Sequence, residues 1–473
     1  MNKIGRRGFV GTLSAACAGT FAVCAQERPL LKVGVLSDPH VTSDPTTAEP
    51  LLKAFECFAA EGVEAVVIAG DICHNGRFAE LENVVNAWRK AFPEGKNSFG
   101  GKVEPFFIFG NHDYHDASYQ RGKTVDITDK RNLILYNKEK AWRMITGEDR
   151  FPGEVFMRRI CGVTFIGAHW MHQGVEVAEF LEKHRSEIPA DRPVIYVQHP
   201  HPRNTCYSGW AKGDDGTNRA ALMKYPNLFA ISGHSHTSIS FDDAVWQGGF
   251  CSMGAGALRG ARGRRYEYNY VLSKVEIAAG KFKYMQPANI GKAWQTAIMS
   301  IYPLRTVVSR RDVANGGEVI GEDWCLDFPY RHDVGRPCRI AAAALAPEFP
   351  PMSRIDFRVG KERVYPSKAS ANVLRMKFPC AKSTGPHSRV MDYRVEVLAA
   401  DGMKKIAERL VAQEMTSFAE KRTRAYLGWC AFGLDKLPTG KDLLVRVTPI
   451  NAGGRCGSPL EAHYVIEPMA AIG

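Results

Sequence analysis

The hydrophobic pattern of residues 30–290 alternates between short apolar runs and segments with helical spacing. The apolar runs predict buried strands at 32–37, 64–70, 104–110, 163–168, 192–198 and 227–233. Apolar residues at helical spacing predict helices near 50–60, 79–91, 175–187 and 217–224. Because strands and helices alternate, we expect an α/β architecture with a largely parallel core. In such sheets, ligands bind at the loops that follow the carboxyl ends of the strands.

The remainder of the chain divides into two further parts. Residues 264–287 are expected to be closing strands of the first domain, whereas residues 291–340 lack clear periodicity and predict a linker or a small subdomain. From 341 to 468, alternating strands separated by turn signals predict an all-β sandwich. The last strands of this sandwich resemble those of a fibronectin type III domain, although Leu443 stands where such domains usually carry a tyrosine.

Residues 1–25 have the features of an export signal. Arg6 and Arg7 precede an acid-free apolar stretch that ends at a small-residue cleavage site, residues 23–25. The paired arginines resemble a twin-arginine signal, whereas a general secretory signal needs only positive charge and an apolar core. We expect twin-arginine export, a periplasmic or secreted protein, and no transmembrane segment in the mature chain.

Length, composition and charge narrow the class of protein. A chain of 473 residues is expected to form two or three domains. Hydrophobic residues at 45% and charged residues at 24% match a globular protein and exclude a disordered or coiled-coil chain. The formal charge of +12 favours anionic partners such as phosphate esters. Short basic clusters, such as Arg259 to Arg265, are expected to form solvated faces, and we expect no stable nucleic acid complex.

Five of the predicted strands end in side chains that can bind a metal ion. Seven of these side chains are candidate ligands, and His112 is one further histidine among them. The seven are Asp38, His40, Asp71, Asn111, His199, His234 and His236. Buried strands rarely end this way, because unpaired carboxylates and imidazoles that crowd together are costly. A pair of divalent cations would offset that cost, so the sequence predicts a metal centre at one edge of the sheet.

The motifs SDPH, GD, GNHD, QHP and GHSH, in this order, resemble the calcineurin-like metallophosphoesterase superfamily. The resemblance covers roughly residues 30 to 290 and implies a four-layer α/β/β/α sandwich with a dinuclear metal centre. The ligands it implies are Asp38, His40 and His236 for the first metal, Asn111, His199 and His234 for the second, and Asp71 for both. It also implies that His112 stands beside the substrate phosphate as the catalytic general acid, without binding a metal.

The resemblance implies an exported metal-dependent phosphoric ester hydrolase. It would hydrolyse phosphodiesters or phosphomonoesters by attack of a hydroxide that bridges two divalent ions, and its N and O ligands suit Mn, Fe, Zn, Co or Ni. We expect a phosphodiesterase-like activity, because the GDxVDRG and GNHE forms of protein phosphatases do not occur. The alternative is a cell-surface or matrix-binding protein with a catalytically silent phosphoesterase domain, in which the C-terminal domain contacts the cell surface or glycans.

Four further polar residues are expected near this centre. His74 departs from the family pattern: it could orient His112, touch the first metal or fill the loop, and we expect it to contact the ligands from behind. We expect the same supporting role for Asp113, the last residue of GNHD, as for His74. His169 and His172 fall where many relatives carry an aspartate-containing turn, and we expect both to be structural.

Overall fold

The fold is taken from a computed structural model of the chain. The described residues are 27–114, 130–206, 216–260, 293–329, 344–363, 370–382, 385, 387–401, 404–412 and 427–467. The export signal predicted for residues 1–25 and the closing strands predicted for 264–287 lie outside these residues. Among the described helices, none combines the length and the apolar character that crossing a bilayer requires.

In the described part of the chain, the first domain contains thirteen strands and five α-helices. The strands are β1 (Leu31–Leu36), β2 (Ala65–Ala69), β3 (Glu104–Ile108), β4 (Val155–Ile160), β5 (Val163–Ala168), β6 (Val194–Val197), β7 (Leu228–Ser232), β8 (Val245–Gln247), β9 (Cys251–Gly254), β10 (Gln295–Ile301), β11 (Arg305–Asp312), β12 (Glu318–Val319) and β13 (Trp324–Asp327). The helices are α1 (Glu49–Ala60), α2 (Phe78–Ala91), α3 (Lys138–Thr146), α4 (Val175–Lys183) and α5 (Thr217–Leu222). Each predicted strand and helix of this domain that lies among the described residues is therefore confirmed, with its ends shifted by a few residues.

The strands of the first domain form two sheets that pack face to face. One sheet has the order β12-β11-β10-β1-β2-β3, with β13 beside β11, and the other has the order β4-β5-β6-β7-β9-β8. Apolar side chains of both sheets form one buried cluster between them. A second cluster lies between β1–β2 and helices α1 and α2, and a third lies between β5–β7 and helices α4 and α5. The domain is therefore an α/β/β/α sandwich, as predicted.

The predicted boundary at residue 290 is wrong, because the described part of 291–340 completes the first sheet. Strand β10 pairs with β1 in antiparallel register, β11 pairs with β10, and β12 and β13 both pair with β11. The buried face of β11 includes Thr306, Arg310 and Asp312 beside Val308. Polar residues on the inward face conceal the hydrophobic alternation that would have predicted this strand.

Parallel pairing brings the motif-bearing loops to one edge of each sheet. Strands β1, β2 and β3 are parallel neighbours, with Leu36 opposite Ile68 and Ala69 opposite Ile108. Strands β6 and β7 are also parallel neighbours in the facing sheet. The loops that follow these five strands carry the predicted ligands, and they meet across the two sheets.

The C-terminal domain is all β. Its strands are β14 (Asp356–Arg363), β15 (Ser370–Pro379), β16 (Val390–Ala399), β17 (Lys405–Ala412), β18 (Leu427–Gly433), β19 (Asp442–Asn451) and β20 (Leu460–Val465). They form a three-stranded sheet, β14-β15-β18, and a four-stranded sheet, β17-β16-β19-β20, with side chains of both sheets in one apolar cluster. The all-β prediction is confirmed, whereas the fibronectin type III resemblance stays a prediction.

The C-terminal domain packs directly on the first domain. Met391 and Ala452 belong to the apolar cluster between the two sheets of the first domain. In addition, Nη1 of Arg389 donates a hydrogen bond of 3.0 Å to the carbonyl oxygen of Ser240, four residues after His236. The two domains therefore share both apolar and polar contacts near the loop that follows β7.

Candidate metal centre

Two glycines allow the loops of the centre to approach each other closely. A Cβ atom on Gly110 would lie 2.3 Å from Oδ1 of Asp71, and one on Gly233 would lie 1.7 Å from Oγ of Ser37. Neither distance is sterically permitted, so a side chain at either position would push two of the motif-bearing loops apart. The GNHD and GHSH motifs therefore begin with glycine because a larger residue would clash with the neighbouring loop.

Five of the predicted ligands have a left-handed backbone, which is uncommon for residues other than glycine. The φ angles are 53° for Asp38, 45° for His40, 52° for Asp71, 64° for His234 and 56° for His236. Such conformations cost about 1–3 kcal/mol each and persist only where the surrounding structure fixes them. The loops are therefore strained at the positions where the side chains must turn towards a common point.

One set of side chains gathers around His199, and we call Asp71, Asn111, His199 and His234 the His199 group. Nε2 of His199 lies 3.1 Å from Oδ2 of Asp71, 3.1 Å from Oδ1 of Asn111 and 3.2 Å from Nδ1 of His234. Nδ1 of His199 lies 2.7 Å from the carbonyl oxygen of Ala69. Because a carbonyl oxygen only accepts, Nδ1 carries a proton, and Nε2 is the nitrogen that can bind a metal.

A second set gathers on the other side of Asp71, and we call Asp38, His40, Asp71 and His236 the Asp38 group. Nε2 of His236 lies 3.2 Å from Oδ1 of Asp38 and 3.1 Å from Nε2 of His40. Nε2 of His40 lies 3.8 Å from Oδ2 of Asp71. Ligand atoms from all four side chains lie within 4.8 Å of one another. The group has the size and the donor set of a single cation site.

The two groups share Oδ2 of Asp71, and their donor atoms fit cations better than hydrogen bonds. Oδ2 of Asp71 is the atom next to His199 in one group and next to His40 in the other. Oδ1 of Asp38 is fully buried and accepts no hydrogen bond among the described residues. Carboxylate, amide and imidazole acceptors that point at each other repel unless a cation lies between them. The residues present therefore fit two divalent cations bridged by Asp71.

The charges within the cluster support this fit. Burial opposes ionisation of Asp38, but attraction to His236 and His199 outweighs it, so the pKa of Asp38 is lowered. Burial likewise opposes ionisation of Asp71, and attraction to His199 lowers its pKa. Burial lowers the pKa of His40 to about 3, and that of His234 to about 3. Burial opposes protonation of His199, but attraction to Asp71 outweighs it and raises the pKa of His199 to about 9. The site thus holds ionised carboxylates, neutral rings at His40 and His234, and a positive charge at His199 that a bound cation would replace.

His112 and His74 lie together at the open side of the Asp38 group. The rings of His112 and His40 meet edge to face with centroids 4.5 Å apart, and the rings of His112 and His74 stack at 5.2 Å. Nδ1 of His112 lies 2.8 Å from the carbonyl oxygen of His74, so the main chain of His74 orients the ring of His112. Nitrogens of His40, His74 and His112 also lie within 4.8 Å of one another. The structure brings His112 to the candidate centre, and its catalytic role stays a prediction.

Asp113 lies behind the centre and ties two of its loops together. Its buried carboxylate accepts hydrogen bonds from the backbone N–H groups of Cys73 (2.7 Å), Gly110 (2.7 Å) and Ile72 (3.2 Å). Burial and the negative charge of Asp71 raise its pKa to about 8, although these hydrogen bonds act in the opposite direction. Asp113 therefore connects the loop that carries Asp71 to the loop that carries Asn111.

Two residues near the centre were not anticipated from the sequence. The ring of Trp170 lies 5.5 Å from that of His234 and 6.0 Å from that of His199, so it covers the His199 group. Arg259 was expected on a solvated face, but its side chain is partly buried and Nη1 donates a 2.8 Å hydrogen bond to the carbonyl oxygen of His40. This expectation is wrong for Arg259, because its guanidinium group finds a main-chain acceptor inside the site.

His169 is part of the apolar packing beside the centre. Its side chain is fully buried, and its ring stacks on those of Phe109, Phe151 and Phe156 at 4.9, 5.2 and 5.4 Å. Nδ1 accepts a 2.9 Å hydrogen bond from the backbone N–H of Phe109. His172 pairs instead with Glu176, at 2.8 Å, on the surface. Neither histidine belongs to the Asp38 group or the His199 group.

Comparison with known proteins identifies the first domain. The sequence model of the calcineurin-like phosphoesterase family matches residues 31–238, which include every predicted ligand. No curated protein matches the chain. Similar solved structures include GAP50, the anchor in the inner membrane complex of Plasmodium (13% identity, 64% of this chain and 89% of that chain, TM-score 0.34). Others are a predicted phosphoesterase of Streptococcus pneumoniae (12% identity, 63% of this chain and 97% of that chain, TM-score 0.26) and a hypothetical protein of Pyrococcus horikoshii (13% identity, 64% and 88%, TM-score 0.27).

The sequence match spans the motif-bearing strands β1, β2, β3, β6 and β7 of the two sheets and the loops that follow them. The geometry agrees with that match, since the loops place the histidines and aspartates in two groups that could hold metal ions. Residues 31–238 of this chain therefore form a domain of the calcineurin-like phosphoesterase family.

Proposed function

We propose that the protein is an exported, dinuclear metal-dependent phosphoesterase that prefers phosphodiesters. The observation that carries the proposal is the position of Asp71. One oxygen of this carboxylate faces both the His199 group and the Asp38 group, and the other candidate ligand atoms, which are oxygens and imidazole nitrogens, face one another. Two cations that share this oxygen would give each group a closed set of ligands.

The seven candidate ligands would bind two cations, and each cation would have a role in the reaction. Two bound divalent cations would supply an activated water as the nucleophile and would polarise the oxygens of the phosphate. Asp38, His40 and His236 would hold one cation, Asn111, His199 and His234 the other, and Asp71 both. The protein side of the site would be a fixed scaffold, because the seven ligands lie on five loops that follow five different strands.

His112 would act on the leaving group. Its Nδ1–H donates to the carbonyl oxygen of His74, so Nε2 is the nitrogen that would deliver a proton to the departing alkoxide. The backbone N–H of His112 also donates a 2.7 Å hydrogen bond to Oδ1 of Asp71. The proton donor is thereby attached to the residue that would bind both cations, which would keep a fixed distance between His112 and the metal-bound phosphate.

The preference for diesters and the export of the protein rest on the sequence alone. The GNHD form of the third motif, without the motifs of protein phosphatases, favours a phosphodiesterase-like activity. Residues 1–25 favour twin-arginine export to the periplasm or beyond. The C-terminal sandwich is proposed as an accessory domain for contact with the cell surface or glycans, from its position in the chain.

Metal content and turnover measured together test this function. We expect purified full-length protein to bind about two equivalents of Mn²⁺ or Zn²⁺, and to hydrolyse bis-p-nitrophenyl phosphate faster than p-nitrophenyl phosphate. A chelator should abolish turnover, and metal should restore it. Two bound metals with no turnover of any monoester, diester or cyclic nucleotide would favour the alternative, a binding protein with a silent domain. Failure to bind metal would refute the proposed centre.

A further inference from the structure

A short segment beyond the family match, Leu258–Gly260, contacts the Asp38 group at three points and the adjacent Ser37 at a fourth. The backbone N–H of Leu258 donates to the carbonyl oxygen of Ser37 at 2.8 Å, and that of Arg259 donates to the carbonyl oxygen of Asp38 at 3.2 Å. Nη1 of Arg259 donates to the carbonyl oxygen of His40 at 2.8 Å. Nδ1 of His236 lies 3.2 Å from the carbonyl oxygen of Gly260 and donates to it. The segment therefore links both loops that supply the ligands of this group.

These four hydrogen bonds end on Ser37, Asp38, His40 and His236, and none of the four ends on a metal-binding atom of the His199 group. The ligands of the His199 group that have main-chain partners find them elsewhere: His199 donates to the carbonyl oxygen of Ala69, and its own carbonyl oxygen accepts from the backbone N–H of Gly233. Asn111 lies in the loop after β3, where the backbone N–H of the preceding Gly110 donates to Oδ2 of Asp113. The two halves of the candidate centre thus have different main-chain contacts, although the backbone N–H of His234 also donates a 3.0 Å hydrogen bond to Oδ2 of Asp38.

The contacted backbone is the strained part of the site. Asp38, His40 and His236 all have left-handed φ angles, of 53°, 45° and 56°. Conformations of this kind relax unless neighbouring groups fix them. A hydrogen bond from a charged donor is stronger than one between neutral groups, so the bond from Arg259 to the carbonyl oxygen of His40 helps to hold that residue in place.

The contact of Gly260 with His236 acts on the ring itself. A carbonyl oxygen at Nδ1 fixes the proton on that nitrogen and leaves the lone pair of Nε2 for a metal. Nε2 is the atom that lies 3.2 Å from Oδ1 of Asp38. The neighbouring guanidinium of Arg259 therefore sits in a segment that orients one ligand through its backbone and another through its ring.

We propose that Arg259 is a positioning residue for one of the two cations, the one held by Asp38, His40 and His236. It acts through the main chain of His40 and does not contact the cation. The inference rests on the proposed two-metal function and adds to it an asymmetry: loss of Arg259 weakens one metal and leaves the other in place.

Metal titration of the full chain distinguishes the two sites. Arg259→Met keeps a side chain of similar reach but removes the charge and the donors, and Arg259→Lys keeps the charge and one donor group. Arg192→Met is the matched control, because Arg192 is exposed and pairs only with the adjacent Asp191 among the described residues. Each metal-free protein would be titrated with Mn²⁺ by calorimetry, and its fold would be checked by circular dichroism.

We expect two equivalents for the wild type and for Arg192→Met. Arg259→Met should keep one equivalent at wild-type affinity and bind the other about 10- to 100-fold more weakly, the usual effect of losing a group that orients a ligand. Arg259→Lys should recover part of that loss, and it remains informative if the methionine variant does not fold.

Three results would overturn the inference. These are two equivalents at wild-type affinity in both Arg259 variants, equal weakening of both equivalents, or unchanged metal binding with a raised KM. The last result would make Arg259 a substrate contact. A wild-type protein that binds fewer than two equivalents would instead refute the proposed two-metal function, so the two failures are distinguishable.

Discussion

The main-chain oxygen of His74 lies 2.8 Å from Nδ1 of His112, and this contact fixes which nitrogen of His112 faces the reaction. A carbonyl oxygen only accepts, so Nδ1 keeps its proton and Nε2 is the nitrogen left for proton transfer. The ring of His74 stacks on the ring of His112, but the hydrogen bond that orients the ring of His112 comes from the main-chain oxygen of His74. Proton donation should therefore depend on the side chain of His112 and on the backbone, not the ring, of residue 74.

His112→Ala should keep both metals and lose catalytic rate. General acid catalysis is worth about 10²–10⁴-fold, and the loss should be largest for alkyl esters, whose leaving groups need a proton. Aryl esters such as bis-p-nitrophenyl phosphate should be affected less. The measurement is kcat for both ester types together with metal content, and His74→Ala, which keeps the carbonyl oxygen, should cost less than His112→Ala. Equal losses on alkyl and aryl esters would contradict the assigned role.

Asp71→Asn should lose metal as well as rate. The amide keeps the shape of the side chain but removes the negative charge that both groups share at Oδ2. We expect less than one tightly bound equivalent in place of two, measured by elemental analysis after dialysis. Asp44→Asn is a suitable control, because Asp44 is exposed and its carboxylate binds the backbone N–H of Thr46. Retention of two equivalents by Asp71→Asn would show that Asp71 is not shared.

The sequence predicted the parallel strands and the ligand loops for one physical reason. Strands buried on both faces, such as β2 and β6, are continuous apolar runs, and a polar residue at the end of such a run stands out. The position of Leu258–Gly260 could not be predicted in this way. Its contacts with Asp38 and His40 cross more than two hundred residues and involve main-chain atoms, which carry no sequence signal.

Strand β11 shows a second limit of the sequence pattern. Arg310 is buried there because Nη1 donates to the carbonyl oxygen of Ile239 at 2.9 Å and lies 3.2 Å from Oδ1 of Asp242. An arginine at an inward position suggests a surface segment until its distant partners are known. The interpretation of 291–340 as a linker or a small subdomain is wrong for this reason. The pairing of these strands with β1 leads to a prediction about truncation.

A chain that ends at residue 290 should not fold, whereas one that ends at 340 should. The shorter chain loses β10–β13, and with them the fully buried side chains of Met299, Ile301, Val308 and Leu326. Burial of each contributes about 1.5–3 kcal/mol, so roughly 6–12 kcal/mol is lost, which matches the whole stability of a typical domain. Solubility and cooperative thermal melting, measured on both chains, test this. Equal melting curves would show that β10–β13 are dispensable.

His169 should make the protein less stable in mild acid. Burial lowers its pKa to about 3, whereas in the unfolded chain its pKa is about 6.5. Between these values the unfolded state binds a proton that the folded state does not, so stability is lost as the pH falls below about 6.5. A single such group contributes a slope of at most about 1.4 kcal/mol per pH unit.

Substitution of His169 by glutamine isolates this contribution, because glutamine does not titrate and can still accept from the backbone N–H of Phe109. The variant should be less stable at pH 8, since it loses the stacking on Phe109, Phe151 and Phe156. Between pH 6.5 and 5, however, its free energy of unfolding should fall less steeply than that of the wild type, by about 1 kcal/mol per pH unit. Urea titrations at fixed metal concentration measure both slopes, with His463→Gln, at an exposed histidine, as the control. Identical slopes for His169→Gln and wild type would mean that His169 takes up its proton as readily in the folded protein as in the unfolded chain, which would contradict the effect of burial on its pKa.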